Sequence, residues 1–182
     1  MEIQPTEFKN LLLCKPRVFQ DDRGGFMEVF IEADFRVSTG LNISFVQDNE
    51  SFSHKNVLRG LHFQVPPKGQ AKLVRVSRGS VLDVVVDLRV NEPTYGQHFK
   101  QLLSAENALQ LFIPEGFAHG FYVLEEGTVF TYKCSNYYSK PCEQSLRWNE
   151  PNLGMDWGCE NPILSDRDAE ADLFSNFQSP FF

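Results

Sequence analysis

The sequence predicts an all-β domain, a sandwich or barrel of many short strands with a few short peripheral helices. Three observations carry the prediction. Valine and 17 phenylalanines are spread through short apolar or alternating stretches, turn residues punctuate those stretches, and no long helical period intervenes. In chain order the candidate strands are FMEVF at 26–30, ISFVQD at 43–48, KLVRVSRG at 72–79 and SVLDVVVDLRV at 80–90. They continue with HFKQLLS at 98–104, ALQLFIP at 108–114, HGFYVLEEGTVFTYKC at 119–134 and QSLRW at 144–148. Arg23-Gly24-Gly25, Pro66-Pro67-Lys68-Gly69, Arg78-Gly79, Asn91-Glu92-Pro93 and Glu125-Glu126-Gly127 supply the turns. Helix is expected only around 31–39 and near the end. There Ser165-Asp166-Arg167-Asp168, followed by AEADLF, reads as a capped helix start.

With 182 residues and no linker, repeat or low-complexity tract, residues 1–182 are expected to fold as one domain. The net charge of −7 argues against nucleic acid as a partner, since that usually needs a basic face. An anionic ligand would have to be held by local arginines and lysines against the overall field. No apolar run approaches the roughly 20 residues of a membrane helix, so no membrane association is expected. The opening MEIQPTEFKN lacks the basic-then-apolar order of a signal peptide, and a cytoplasmic location is the expectation. The four cysteines, Cys14, Cys134, Cys142 and Cys159, form no CxxC pair and read as buried or idle thiols.

Polar residues interrupt the apolar pattern in three places. In Asn56-Val57-Leu58-Arg59-Gly60-Leu61-His62-Phe63-Gln64, strict strand alternation puts Arg59 and His62 on opposite faces. Only a bulge or twist at Gly60 would converge them. His62 can equally be a core histidine satisfied by a carbonyl. Pro114-Glu115-Gly116-Phe117-Ala118-His119 resembles the second cupin motif, a turn that aims a histidine into a small barrel. The first cupin motif would supply H-x-H, but Gln64 stands where the second histidine belongs, and Val123 replaces a further expected asparagine. With two ligands missing, no bound metal is expected. The third set is Arg23 to Glu28 in FQDDRGGFME, Gln47 and Asn49, and Lys72 in QAKL. Taken singly, these charges also suit a solvated surface.

Together these blocks resemble the dTDP-4-dehydrorhamnose 3,5-epimerase family. The likeness runs through F-x-D-x-R-G-x-F-x-E, Q-x-N, V-L-R-G-L-H-x-Q, the 70–89 strand pair and I-P-x-G-F-A-H-G-F, over about residues 17–168. The resemblance implies a cupin jelly-roll barrel, a homodimer, a dTDP-4-keto-6-deoxyhexose substrate and no cofactor. It implies His62 as base, Asp168 as its orienting carboxylate and Tyr132 as acid, with Lys72 and His119 near the sugar. Arg23, Glu28, Gln47, Asn49, Arg59, Glu143 and Arg167 match positions that hold the nucleotide and its diphosphate, and Tyr138 an aromatic that stacks on the base. Arg167 departs from the lysine that many members carry.

Epimerising a carbon beside a ketone means taking a proton from one face and returning one to the other. Imidazole, titrating near 6.5 in general, accepts and releases protons at cellular pH. A carboxylate on its far nitrogen fixes the tautomer, and a phenol holds a proton for the opposite face. Lys72, with help from His119, is the candidate donor to the enolate oxygen. Arg23 and Arg59 suit a diphosphate, since a guanidinium fork matches phosphate oxygens. Against these roles stand simpler ones: Asp168 as third residue of a capping box begun by Ser165, Tyr132 as a strand aromatic, His119 as a structural remnant. Three other activities remain open: epimerisation at one carbon only, a metal-dependent cupin enzyme, and a non-catalytic nucleotide-sugar binder.

Overall fold

The computed structural model describes residues 1–182. Two antiparallel sheets face each other. The first has six strands in the spatial order β1 (Glu2–Pro5), β2 (Leu12–Lys15), β10 (Gln110–Ile113), β7 (Lys72–Arg78), β12 (Thr128–Cys134) and β5 (Gln47–Ser53). The second has five: β13 (Glu143–Ser145), β6 (Leu58–Gln64), β11 (Phe117–Val123), β8 (Ser80–Asp87) and β9 (His98–Ser104). From β5 to β8, and again from β9 to β13, the chain crosses to the other sheet at each connection, as a jelly roll does. A separate hairpin of β3 (Val18–Asp21) and β4 (Gly24–Met27) pairs only with itself.

Strand parity sorts the side chains into three apolar layers. Val74 and Val76 of β7, Val81 and Val85 of β8, and Phe121 and Phe130 fill the space between the sheets. Val84 and Val86 turn outward under Leu153, Trp157 and Phe181 of the C-terminal segment. On the other flank, Leu73 and Phe112 pack under Phe35 of helix α1 (Glu32–Thr39). β8 is covered on both faces, which explains why SVLDVVVD reads as a continuous apolar run and not as an alternation.

Helix α1 occupies the segment where a helix was expected and ends at Gly40, whose φ of 70° is left-handed and whose N–H bonds Arg36 O. The C-terminal helix α2 (Asp166–Ala169) is a single turn, with Ser165 Oγ accepting from the Asp168 N–H as its cap. Three differences from the sequence reading appear. Strands β1, β2 and β3 have four residues each, too few for a period-2 signal to stand out. The strand expected at 26–30 is instead β4, ending at Met27, and the one expected at 43–48 begins only at Gln47. Phe30 and Phe45 are apolar because they pack on Phe35, with ring centroids 5.8 and 5.9 Å away, and not because they lie in strands. No helix is long and apolar enough to cross a membrane.

Candidate active site

A cavity of about 250 Å³ opens between the two sheets, lined from β5, β7 and β12 on one wall and β6 and β11 on the other. Its geometry starts at Gly60. Across β6 and β11, His62 pairs with His119 and Arg59 with Phe121, so three steps on β6 match two on β11. This is a bulge, and it brings Arg59 and His62 onto the same cavity wall against strict alternation. Glycine is required there: φ is 136°, and a Cβ would lie 2.5 Å from Gly120 Cα.

His62 is not a sealed core histidine, because 32% of its side chain is accessible. Its Nε2 lies 2.5 Å from Asp168 Oδ1, and Nδ1 has no protein partner. Asp168 stands at the third position of α2, so Ser165 caps the backbone while the carboxylate remains free for the imidazole. The helix cap and the imidazole contact therefore use different atoms of Asp168. Burial works to raise the Asp168 carboxyl, yet hydrogen bonds from His62 and Ser165 outweigh it and hold the group below its usual range.

The facing wall carries Tyr132 on β12 and Lys72 on β7. Burial pushes the Tyr132 phenol up, so the group keeps its proton. Lys72 is half-buried between the sheets, desolvation pulls its ammonium down, and its Nζ donates only a long 3.5 Å contact to His62 O. His119 sits directly across from His62, with Nε2 2.8 Å from Asp83 Oδ2.

At the rim, Tyr138 Oη donates to Glu143 Oε2 at 2.9 Å, and Arg167 Nη1 meets the same oxygen at 2.7 Å. Burial would raise the Glu143 carboxyl, but bonds from Arg167 and Tyr138 bring it down. Gln47 accepts from the Tyr138 N–H and donates to Asn49. Arg59 bonds Ser53 Oγ. Arg167 itself borders the adjoining open cleft, two atoms of its guanidinium on Ser145 Oγ. Gln64 spends its amide on Lys68 O, Tyr137 O and the Ser139 N–H, bracing the loop that carries Tyr138.

Besides Asp168, which reaches the cavity through His62, three expected residues do not line the cavity of their own chain: Arg167, in the adjoining cleft, Arg23 and Glu28. Arg23 tips the β3–β4 hairpin, 90% exposed and paired with Asp21, and Glu28 lies near Arg17 beyond it. Two residues passed over in the sequence stand at the site, one behind the lining and one in it. Asp83 is buried beside His119, and its signal was a lone carboxylate inside the valine run of 80–87. Cys134, taken as an idle thiol, lines the cavity, with Sγ 3.6 Å from Asn49 Nδ2.

Comparison with known proteins matches this architecture. The family model described as dTDP-4-dehydrorhamnose 3,5-epimerase matches residues 5–176. The dTDP-4-dehydrorhamnose 3,5-epimerase of Shigella flexneri is 47% identical over 174 residues, covering 96% of each chain. A solved structure of dTDP-6-deoxy-D-glucose-3,5-epimerase from Legionella pneumophila, in complex with dTDP-4-keto-L-rhamnose, superposes with a TM-score of 0.95 at 42% identity, covering 100% of this chain and 98% of that one. ChmJ of Streptomyces bikiniensis, a 3'-monoepimerase solved with dTDP-quinovose, gives 0.89 at 33% identity, covering 94% and 87%. With the family match spanning residues 5–176 and relatives 42–47% identical over nearly the whole chain, this chain belongs to the dTDP-4-dehydrorhamnose 3,5-epimerase family.

Proposed function

We propose that the protein is an isomerase that epimerises dTDP-4-dehydro-6-deoxy-D-glucose at C3 and C5 to dTDP-4-dehydro-L-rhamnose. The observation that carries this reading is the placement of a histidine–carboxylate pair on one sheet and a phenol on the sheet facing it. Facing sheets stand about 10 Å apart, room for one sugar ring between them. His62 Nδ1 removes the proton from the carbon beside the ketone, and the electron pair moves onto the C4 oxygen. The Lys72 ammonium meets the charge growing there. Tyr132 then delivers its proton to the opposite face of the same carbon, and water restores both side chains. One C–H bond breaks and one forms at each centre, with no net oxidation.

Replacing Tyr132 with phenylalanine should slow product formation about 100-fold. Exchange of the substrate hydrogen with solvent should persist, because His62 still takes and returns a proton on its own face. Loss of exchange together with turnover would show that the phenol is not the opposite-face acid.

Turnover in heavy water, followed by NMR of the recovered sugar, tests the activity itself. Deuterium at both C3 and C5 is expected. Label at one position marks a single-carbon epimerase, and none with folded protein defeats the enzymatic reading.

The protein acts as a homodimer in which the β3–β4 hairpin of one subunit carries Arg23, with Glu28 just beyond it, to the nucleotide end of the other subunit's cavity. Support comes from the hairpin's isolation, the exposure of its Phe19 and Phe26, and the open edge of β5, which contributes Gln47, Asn49 and Ser51 to the cavity. Arg23→Ala and His62→Ala should each be nearly inactive. Unfolding and refolding them as an equal mixture should restore about a quarter of wild-type activity, because a mixed dimer regains one intact site. Sedimentation as a monomer, or a mixture as inactive as its parts, contradicts the shared site.

A further inference from the structure

Two charges beside the cavity are incompletely paired. Lys72 forms none of the chain's ion pairs, and its one contact is the long one to His62 O. Asp83 is completely buried, and while its Oδ2 meets His119, its Oδ1 has no hydrogen-bond partner at all. A buried ion without compensation is costly, and these two point inward from facing sheets, Lys72 on β7 and Asp83 on β8.

We propose that Asp83 is a positioning residue for the reaction: it is the counter-charge that keeps Lys72 an ammonium at the C4 oxygen, and through His119 it fixes which imidazole nitrogen faces the sugar. The inference rests on the role given to Lys72 above.

The other groups around Lys72 have their charge spent or have none. On β12, burial pushes the Cys134 thiol up, so it stays neutral. Glu143 on β13 is already paired with Arg167 at 2.7 Å. On β6, His62 is bonded to its own carboxylate, Asp168. His119 on β11 lies near Phe130, ring centroids 5.9 Å apart; burial lowers its basicity, which Asp83 only partly restores. Asp83, whose Oδ2 is shared with His119, is left as the one carboxylate facing the ammonium that keeps an unpaired oxygen, and it raises Lys72 against the larger effect of burial.

The same carboxylate settles the tautomer of His119. With Nε2–H donating to Asp83, the neutral ring turns Nδ1 to the cavity as an acceptor. His119 therefore does not donate to the enolate oxygen, as the sequence reading had it; it accepts from a sugar hydroxyl, and Lys72 alone is the donor.

The test is Asp83→Asn, made in the full-length protein. It should lower kcat about 10- to 100-fold and leave dTDP affinity by calorimetry within about twofold. Removing the negative charge lowers the pH at which Lys72 loses its proton. The alkaline limb of kcat should therefore move down by about one pH unit or more. A second measurement is independent of turnover: melting temperatures of Asp83→Asn, Lys72→Met and the double variant. Counter-charges predict that the double variant loses less than the two single losses combined, because neither charge is left alone. An unmoved alkaline limb, or stability losses that add, overturns the inference. Full activity in Lys72→Met would instead overturn the role of Lys72 in the functional reading, while the stability cycle still decides whether the pair exists.

Discussion

His62→Ala is expected to lower kcat by about 10³–10⁴-fold and leave dTDP affinity within about twofold. The asymmetry follows from position. His62 lines the cavity between the sheets, whereas Tyr138, Glu143 and Gln47 make a separate linked set at the rim. Removing the imidazole takes away the base and leaves that set in place, and the Leu58 and Leu61 packing beneath β6 is on the other face. Calorimetry with dTDP and steady-state kinetics on the same preparation separate the two effects. Equal losses in affinity and kcat would mark His62 as a binding or folding residue.

Asp168→Asn should be nearly as damaging, on the order of 10³-fold in kcat, while the melting temperature at neutral pH falls only by the loss of the carboxylate–imidazole contact. The carboxylate accepts the Nε2 proton and leaves Nδ1 as the basic nitrogen. An amide offers an N–H at that point and favours the opposite tautomer, with the proton on the nitrogen that must be bare. The helix cap survives, since it uses the Asp168 backbone N–H and Ser165 Oγ. A drop in stability matching the drop in activity would return Asp168 to a structural role. The pH dependence has a defined sign. The folded-state value lies below the ordinary 3.8, so the stabilisation carried by this group is complete above that value and is lost as pH falls through the lower folded one.

Much of this site was legible in the sequence, and the reasons differ by residue. Gly60 between Arg59 and His62 announced the bulge, because no regular strand could bring both side chains to one face. Asp168 lies 106 residues from His62, and nothing local distinguishes it from the helix-capping acid that it also neighbours. Only the family likeness linked the two. Asp83 was hidden in a strand apolar on both faces, where a single carboxylate looks like an interruption until parity places it inside. Arg23 and Glu28 show a different limit. The family resemblance assigns them to the nucleotide, but a sequence does not say whether a segment serves its own cavity or that of a second copy. The short strands β1 and β2 escaped notice because four residues cannot establish a period.

The proposed chemistry requires base and acid on opposite walls with the sugar between them. A crystal structure of the protein with a dTDP-linked 4-keto or 4-deoxy hexose bound measures this directly. His62 Nδ1 is expected within about 3–3.5 Å of C3 or C5 on one face, the Tyr132 hydroxyl toward the other face, and Lys72 Nζ at the C4 substituent. A sugar lying outside the space between the sheets, or with His62 and Tyr132 on the same face, contradicts it.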